Sequence, residues 1–550
     1  MTKLRWAARY LALALGVAAP LAFMAIFFLW PVLTMVSMGL FGEGGGSGFA
    51  EALGRRRVWD VVAMTVGMAA GGTVGSVLLG LPGAYVLYKL KIPFRGALRA
   101  FVSIPFVLPV MAVAVGFGAL FGPGGPLASW HLMGTKTLVV AAMVFFNYSL
   151  VVRIVGPMWA GLDPRAEEAA VSLGASPARV FFTVVLPRLV PAIASAASMV
   201  FLFCASAYAR VQVLGGPGAT TLEAEIYNET VAYMDYQAAA VLSILQLVIV
   251  VAALALSEIL RGRVERGQKM TRTAARRPRK GDLPALVVTG LTIVFLLAAP
   301  MVGLLTRSLR RGGAWTLQNY TDMANADASA AIQTSVLSSL GTSFATALVA
   351  AVLALAVGVS LSVILSRRPR KRAAKGALKA LDILFMLPLG VSAVTVGFGF
   401  LVTMSGPPLN LATSWWLVPI AQSIVAIPMV ARTVLPTMRA IDPRQREAAA
   451  SLGASPERVL ATIDGPYLWR TGVVAAGFAL AISMGEFGAT SFLARPQTAT
   501  LPVTIYSLAS RPGATEQGMA MAASVLLAVV TATLMVIVER LRPNDATPMM

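Results

Sequence analysis

The chain has 550 residues, of which 57% are hydrophobic and 13% charged. A soluble chain of this length divides into several domains and carries about twice that share of charge. One cysteine, Cys204, excludes an intrachain disulfide, and one histidine, His131, excludes a histidine-based metal site. The net charge of +21 raises nucleic acid as a partner, and the distribution of the charge decides against it below.

The apolar residues come in long uncharged runs, such as Leu11 to Leu40 and Val336 to Ser366. Runs of roughly 18 or more such residues read as membrane-spanning helices. In chain order the predicted spans are Leu11–Leu40, Val58–Tyr88, Ala100–Phe121, Thr137–Ala160, Leu189–Leu214 and Ala238–Ile259. After these come Leu283–Thr306, Ala331–Leu365, Ala380–Met404, Ser414–Met438, Thr471–Leu493 and Met519–Val538. Lys3, Arg5 and Arg9 ahead of the first run resemble a signal peptide. That run is about twice too long for one and no small-residue cleavage site closes it, so it reads as an uncleaved span. Pro82, Pro105, Pro109 and Pro388 are expected to kink their helices. Gly67, Gly71 and Gly75 have the spacing for close helix contact.

Lys and Arg concentrate on one side. With the N-terminus inside, the inside segments hold 33 of the 45, the outside segments hold 9, and Arg153, Arg210 and Arg432 fall within predicted spans. The excess predicts both termini in the cytoplasm. It also explains the net charge as membrane orientation, with no nucleic-acid partner. Arg153 and Arg432 are expected to snorkel to the inner boundary or to tie each loop to its span. The segment 261–282 is polar, basic and contains Pro278, and it reads as a cytoplasmic linker between two halves, 1–260 and 283–550.

The halves repeat at an offset of 279 residues. Asp163 opens DPRAEEAAVSLGASPARVFF and Asp442 opens DPRQREAAASLGASPERVLA, with fourteen of twenty positions identical. Arg153 meets Arg432, Pro157 meets Pro436, and VGFG occurs at Val115 and at Val396. An even number of spans in each half inserts both in one orientation, related by an axis along the membrane normal. The interface between them is the natural solute path. The repeated segment reads as two short helices. Asp-Pro caps the first, Gly174 or Gly453 ends it, and Ser-Pro caps the second. Glu167 and Glu168, and Glu447, place negative charge in first turns. Ala169, Ala170, Ala448 and Ala449 leave room for a partner to approach closely.

Glu168-Ala169-Ala170, Gly174, Val184 and Leu186-Pro187 resemble the EAA-x3-G-x9-I-x-L-P signature of binding-protein-dependent ABC importer permeases. The second copy has Glu447, Ala448, Ala449, Gly453, Ile463 and Pro466, with Gly465 in place of leucine. The resemblance implies an all-α polytopic membrane protein, about twelve transmembrane helices in two type I ABC-importer halves. It implies that the loops near 163–187 and 442–466 each dock on an ATPase subunit, most simply a homodimer, in a bacterial inner membrane. A solute-binding protein would dock outside. No G-x-x-x-x-G-K-[ST] stretch occurs, so ATP-Mg is expected on the partner and no cofactor or catalytic residue on this chain. LGGPGATTLEAEIY from Leu214, and GEFGATSFL with TLPVTIY between Gly485 and Tyr506, resemble fused thiamine permeases, with ferric-iron permeases the alternative.

Glu486, within the eleventh predicted span, is a costly place for a carboxylate and a candidate for lining a cation path. Arg210 is the nearest ionisable residue of the matching span, three positions off in register. Glu223, Glu225, Glu229 and Asp235 form an acidic loop that is either solvated or faces the binding protein. A secondary transporter, a membrane-embedded enzyme and a channel are the competing readings. The paired elbows argue against the first and third, and the shortage of His and Cys against the second.

Overall fold

A computed structural model describes residues 18–42, 46–264, 275–367, 372–407, 409–411 and 414–541. The N-terminal basic residues, part of the linker (265–274) and part of the loop before 372 lie outside the described residues. Among the described residues, ten helices are long and apolar enough to cross a membrane, from Ala18–Phe41 to Ala514–Val538. Ten of the twelve predicted spans correspond to them.

The other two predicted spans are broken, and proline is the cause in both. The third divides into Arg95–Val107 and Val110–Phe121. Leu108 between them is extended (φ −67°, ψ 139°), the conformation the following Pro109 imposes. The ninth divides into Arg372–Met386 and Ala393–Met404, with a short 3-10 turn Leu387–Leu389 around Pro388. Pro82 is absorbed inside the continuous helix Arg56–Lys89. The one sheet among the described residues is a hairpin, Arg310–Arg311 with Ala314–Trp315. Its turn residues Gly312 and Gly313 have φ of 58° and 90°, as a two-residue hairpin turn requires.

The chain forms two compact units, and compactness divides it differently from the repeat. One unit comprises 1–50, 226–243 and 318–549; the other comprises 51–225 and 244–317. The first span of each half thus packs among the spans of the other half. In the first unit Ala18–Phe41 lies on Ala393–Met404, where Gly399 faces Pro31 and the Phe27 and Phe400 rings stack at 6.5 Å. In the second, Ala299–Ser308 lies on Val110–Phe121, where Gly116 faces the Pro300 carbonyl. Arg307 fixes that end, donating to the Ala119 and Pro123 carbonyls at 3.1 and 3.2 Å. The repeated VGFG is in each unit a groove that receives a proline-bearing span.

Within the second unit the central pair is Arg56–Lys89 against Lys136–Ala160. The contact runs along Gly72, Ser76, Gly80 and Gly83, all buried, whereas Gly67 is exposed and touches nothing. A Cβ on Gly80 would lie 2.6 Å from a Val151 methyl. In lipid, small residues are what allow such close backbones. Gly80→Val is therefore expected to cost about 1–3 kcal/mol through overpacking and to lower the thermal midpoint of the purified protein in detergent. Gly67→Val is expected to leave it unchanged, and equal losses at both positions would contradict this packing.

Candidate functional site

Each elbow is built by the same local bonds. In the first copy Asp163 Oδ1 accepts from the Arg165 N–H at 3.0 Å and opens helix Arg165–Ser172. In the second, Asp442 Oδ1 accepts from the Arg444 N–H at 2.9 Å and opens Pro443–Ser451. Gly174 (φ 80°) and Gly453 (φ 81°) close these helices in the left-handed region. Ala175 N–H returns to the Ala170 carbonyl and Ala454 N–H to the Ala449 carbonyl, both at 3.0 Å, which completes a Schellman-type end. Ser176 Oγ and Ser455 Oγ then accept from the N–H groups of Arg179 and Arg458, each at 3.4 Å, and cap Pro177–Val180 and Pro456–Val459.

A single π-type turn follows in each copy, Phe181–Val185 and Leu460–Asp464. Proline stands just after it, Pro187 and Pro466. Proline has no N–H to give to the carbonyl one turn back, so the ladder widens there and resumes. These prolines, the last residues of the signature, set the angle at which elbow joins span.

Glu168 and Ala169 are exposed, as are Glu447 and Ala448; Ala170 and Ala449 are half-buried. Leu173 and Leu452, matched at the 279-residue offset and immediately before the left-handed glycines, are each 89% exposed. The sequence analysis did not single them out, although their identity across the offset was available. An isolated exposed leucine is unremarkable on a protein surface. Two at the same place on two matched elbows form a repeated apolar knob.

The outer motifs are also duplicated in three dimensions. The Leu222 N–H donates to Thr65 Oγ1 at 2.8 Å, and the Leu501 N–H donates to Ser343 Oγ at 2.6 Å. In each unit a hydroxyl of the long helix thus receives the first free N–H of the TLxxxIY helix. Tyr227 and Tyr506, matched across the offset, both belong to the first unit with Phe487 and Phe492. The Tyr227 and Phe492 rings meet edge to face at 5.3 Å, and Phe487 and Tyr506 lie 5.4 Å apart.

Glu486 is 6% exposed and accepts from the Ala489 N–H at 2.7 Å, the Thr490 N–H at 3.0 Å and the Thr490 hydroxyl. Its carboxylate caps the short helix Thr490–Leu493 after the break in the eleventh span. Arg210 is 5% exposed, donates to the Phe203 carbonyl at 2.9 Å and lies over the Phe146 ring at 5.1 Å. Each therefore has bonds of its own within its unit. The acidic loop differs from a solvated loop. Glu223 and Glu225 are buried; Glu223 accepts from the Tyr208 N–H at 2.9 Å and Glu225 pairs with Arg57 at 2.5 Å. Those two carboxylates are spent inside the fold, because the helix Leu222–Val231 turns them inward.

Duplicated apolar spans, duplicated elbows and duplicated outer helices define a two-half membrane permease. Residues 72–269 and again 358–544 match the family of binding-protein-dependent transport system inner membrane components, and the chain belongs to that family. It is a multi-pass permease subunit of an ABC importer. The thiamine transport system permease protein of Brucella suis biovar 1 is 26% identical over 513 residues, 90% of each chain. A putative 2-aminoethylphosphonate transport system permease protein of Salmonella paratyphi A is 35% identical over 163 residues, 30% of this chain and 60% of that one. A bacterial ABC transporter for the acidic polysaccharide alginate overlaps 49% of this chain and 100% of its own at 15% identity and a TM-score of 0.39, a likeness too loose to argue from.

Removing the Glu486 cap leaves two buried N–H groups short of an acceptor, about 1–3 kcal/mol each. Glu486→Ala is expected to lower the thermal midpoint of the purified permease by several degrees. An unchanged midpoint would show that the carboxylate is not needed for the fold.

Proposed function

We propose that this chain is the pore-forming subunit through which a solute-binding protein delivers thiamine to the cytoplasm, driven by a separate pair of identical ATPase subunits. The observation that carries the reading is the pair of elbows with the same caps, the same left-handed glycine and the same exposed leucine. Two copies of one motor need two copies of one socket fitting. Glu168, Ala169, Ala170 and Gly174, and Glu447, Ala448, Ala449 and Gly453, form the fittings, with Pro187 and Pro466 setting their angle. ATP-Mg is held by the motor. The excess of Lys and Arg on the elbow side supports a cytoplasmic location for the elbows and both termini.

Motor closure then draws the elbows together and opens the solute path outward, and hydrolysis resets it. ATP biases the two states only through contacts that differ between them. Thiamine as solute is supported by relatives named for thiamine transport over 90% of their length. It is also supported by Tyr227 and Tyr506, half-buried rings that rest on the buried Phe492 and Phe487. A flat cationic ring gains from aromatic faces. Glu486 and Arg210 remain candidates for the path, acting through the turns they hold.

Burying one leucine contributes about 1.5–3 kcal/mol. Leu452→Asp, and separately Leu173→Asp, are each expected to weaken capture of the ATPase subunit roughly tenfold or more. Co-purification with a tagged motor measures this, and undiminished capture by the double variant would refute docking at the elbows. For the solute, Tyr506→Ala is expected to raise the KM for thiamine about tenfold in ATP-driven vesicle uptake. Uptake of ferric iron but not thiamine by the unaltered complex would favour the alternative solute.

A further inference from the structure

The two elbows share their internal bonds but are fastened to the spans differently. The elbow position that is Arg446 in the second copy is Glu167 in the first, so the charge is reversed. Arg446 Nε donates to Asp464 Oδ1 at 2.8 Å, and Arg367 Nη2 donates to Asp464 Oδ2 at 2.8 Å. Arg446 Nη2 also reaches the Met438 carbonyl at 3.2 Å. Asp464 is 0% exposed. One carboxylate thus joins three segments: the elbow helix, the π-type turn that opens the next span, and the residue just past helix Val336–Leu365.

In the first copy the position matching Asp464 is Val185, which carries no charge. The position matching Arg367 is Lys89, by the register in which Gly80 and Gly358 meet the matched Val151 and Val430. That elbow is joined to its long helix by Glu167 Oε1 and Lys89 Nζ at 3.3 Å, with the two side chains 32% and 12% exposed. The difference is physical. Breaking the Asp464 network leaves a fully buried carboxylate without a partner, whereas the Glu167 carboxylate, about a third exposed, meets water when it leaves Lys89.

We propose that Asp464 is a positioning residue that makes the second elbow and helix Val336–Leu365 a single rigid body, while the first elbow yields against helix Arg56–Lys89. A motor closing on both elbows then drives the two units unequally. The inference rests on the docking reading above and adds that the fused halves are mechanically distinct.

The test uses the full chain with Cys204→Ser, bound to its ATPase subunits. Spin labels are placed at positions 445 and 360, and in a second sample at positions 166 and 81, on the first elbow and its long helix. ATP is expected to leave the 445–360 distance within about 1 Å and to shift the 166–81 distance by about 2 Å or more. Asp464→Asn and Arg446→Gln are each expected to make the 445–360 distance respond to ATP while the motor stays attached and hydrolyses ATP. Arg446→Lys, which keeps a donor and the charge, restores the unresponsive distance. Arg446→Gln leaves Asp464 paired with Arg367, so it provides the result if Asp464→Asn fails to fold. An ATP response at 445–360 in the unaltered chain, or none in either variant, overturns the proposal. Failure of the unaltered chain to hold the ATPase subunits overturns instead the docking on which it rests.

Discussion

Close approach of helix backbones is the constraint on which this structure depends. Between spans in hydrocarbon there is no hydrophobic force, since lipid tails are as apolar as leucine. Contact must come from packing, and packing needs surfaces that meet. The ladder Gly72, Ser76, Gly80 and Gly83 supplies one such surface, against Val151 and Tyr148 of the neighbouring helix. The VGFG segments supply two more, each against a proline of a distant span. These grooves explain why compact units and sequence halves do not coincide. A span binds where a groove admits it, and the groove for each half's first span lies in the other half. The two family matches, 72–269 and 358–544, begin after those exchanged spans.

Much of this was legible from the sequence. Ten spans followed from uncharged length, and both elbows followed from Asp-Pro, glycine and Ser-Pro, whose chemistry acts within four residues. Local bonds are written in local sequence. The exchange of first spans was not legible, because it depends on which of several glycine faces meets which proline. Spacing pointed to Gly67, Gly71 and Gly75, of which Gly71 and Gly75 do face Val140 and Val144 of the neighbouring helix while Gly67 faces none; the buried edge of that contact starts at Gly72, about 100° further round the helix. Periodicity gives the ladder but not the side on which a partner lies.

The acidic residues show the same limit. Glu223, Glu225 and Glu486 stand in segments that read as outer-side loops or span, and composition alone cannot distinguish a solvated carboxylate from a capping one. The fold uses all three to satisfy N–H groups or an arginine. Broken helices inside a membrane protein expose backbone donors, and a donor away from water must find an acceptor. A carboxylate beside a break therefore has a structural task before any task toward solute. Its presence in an apolar run is first a sign that the run is interrupted.

The reversal of charge between Glu167 and Arg446 bears on why two halves were worth keeping different. Identical halves would offer identical motors identical sockets and identical responses. Here the outward parts of the elbows are the same residues: the leucine, the left-handed glycine and the alanines. The parts behind them, which meet the spans, diverge in sign and in burial. Divergence behind a constant face is what a fused chain permits, since each elbow always stays with its own spans. A homodimeric permease cannot do this, because any change to one elbow is made to both. The asymmetry thus belongs to the inner attachment of the elbows, while their outward residues stay the same in both copies.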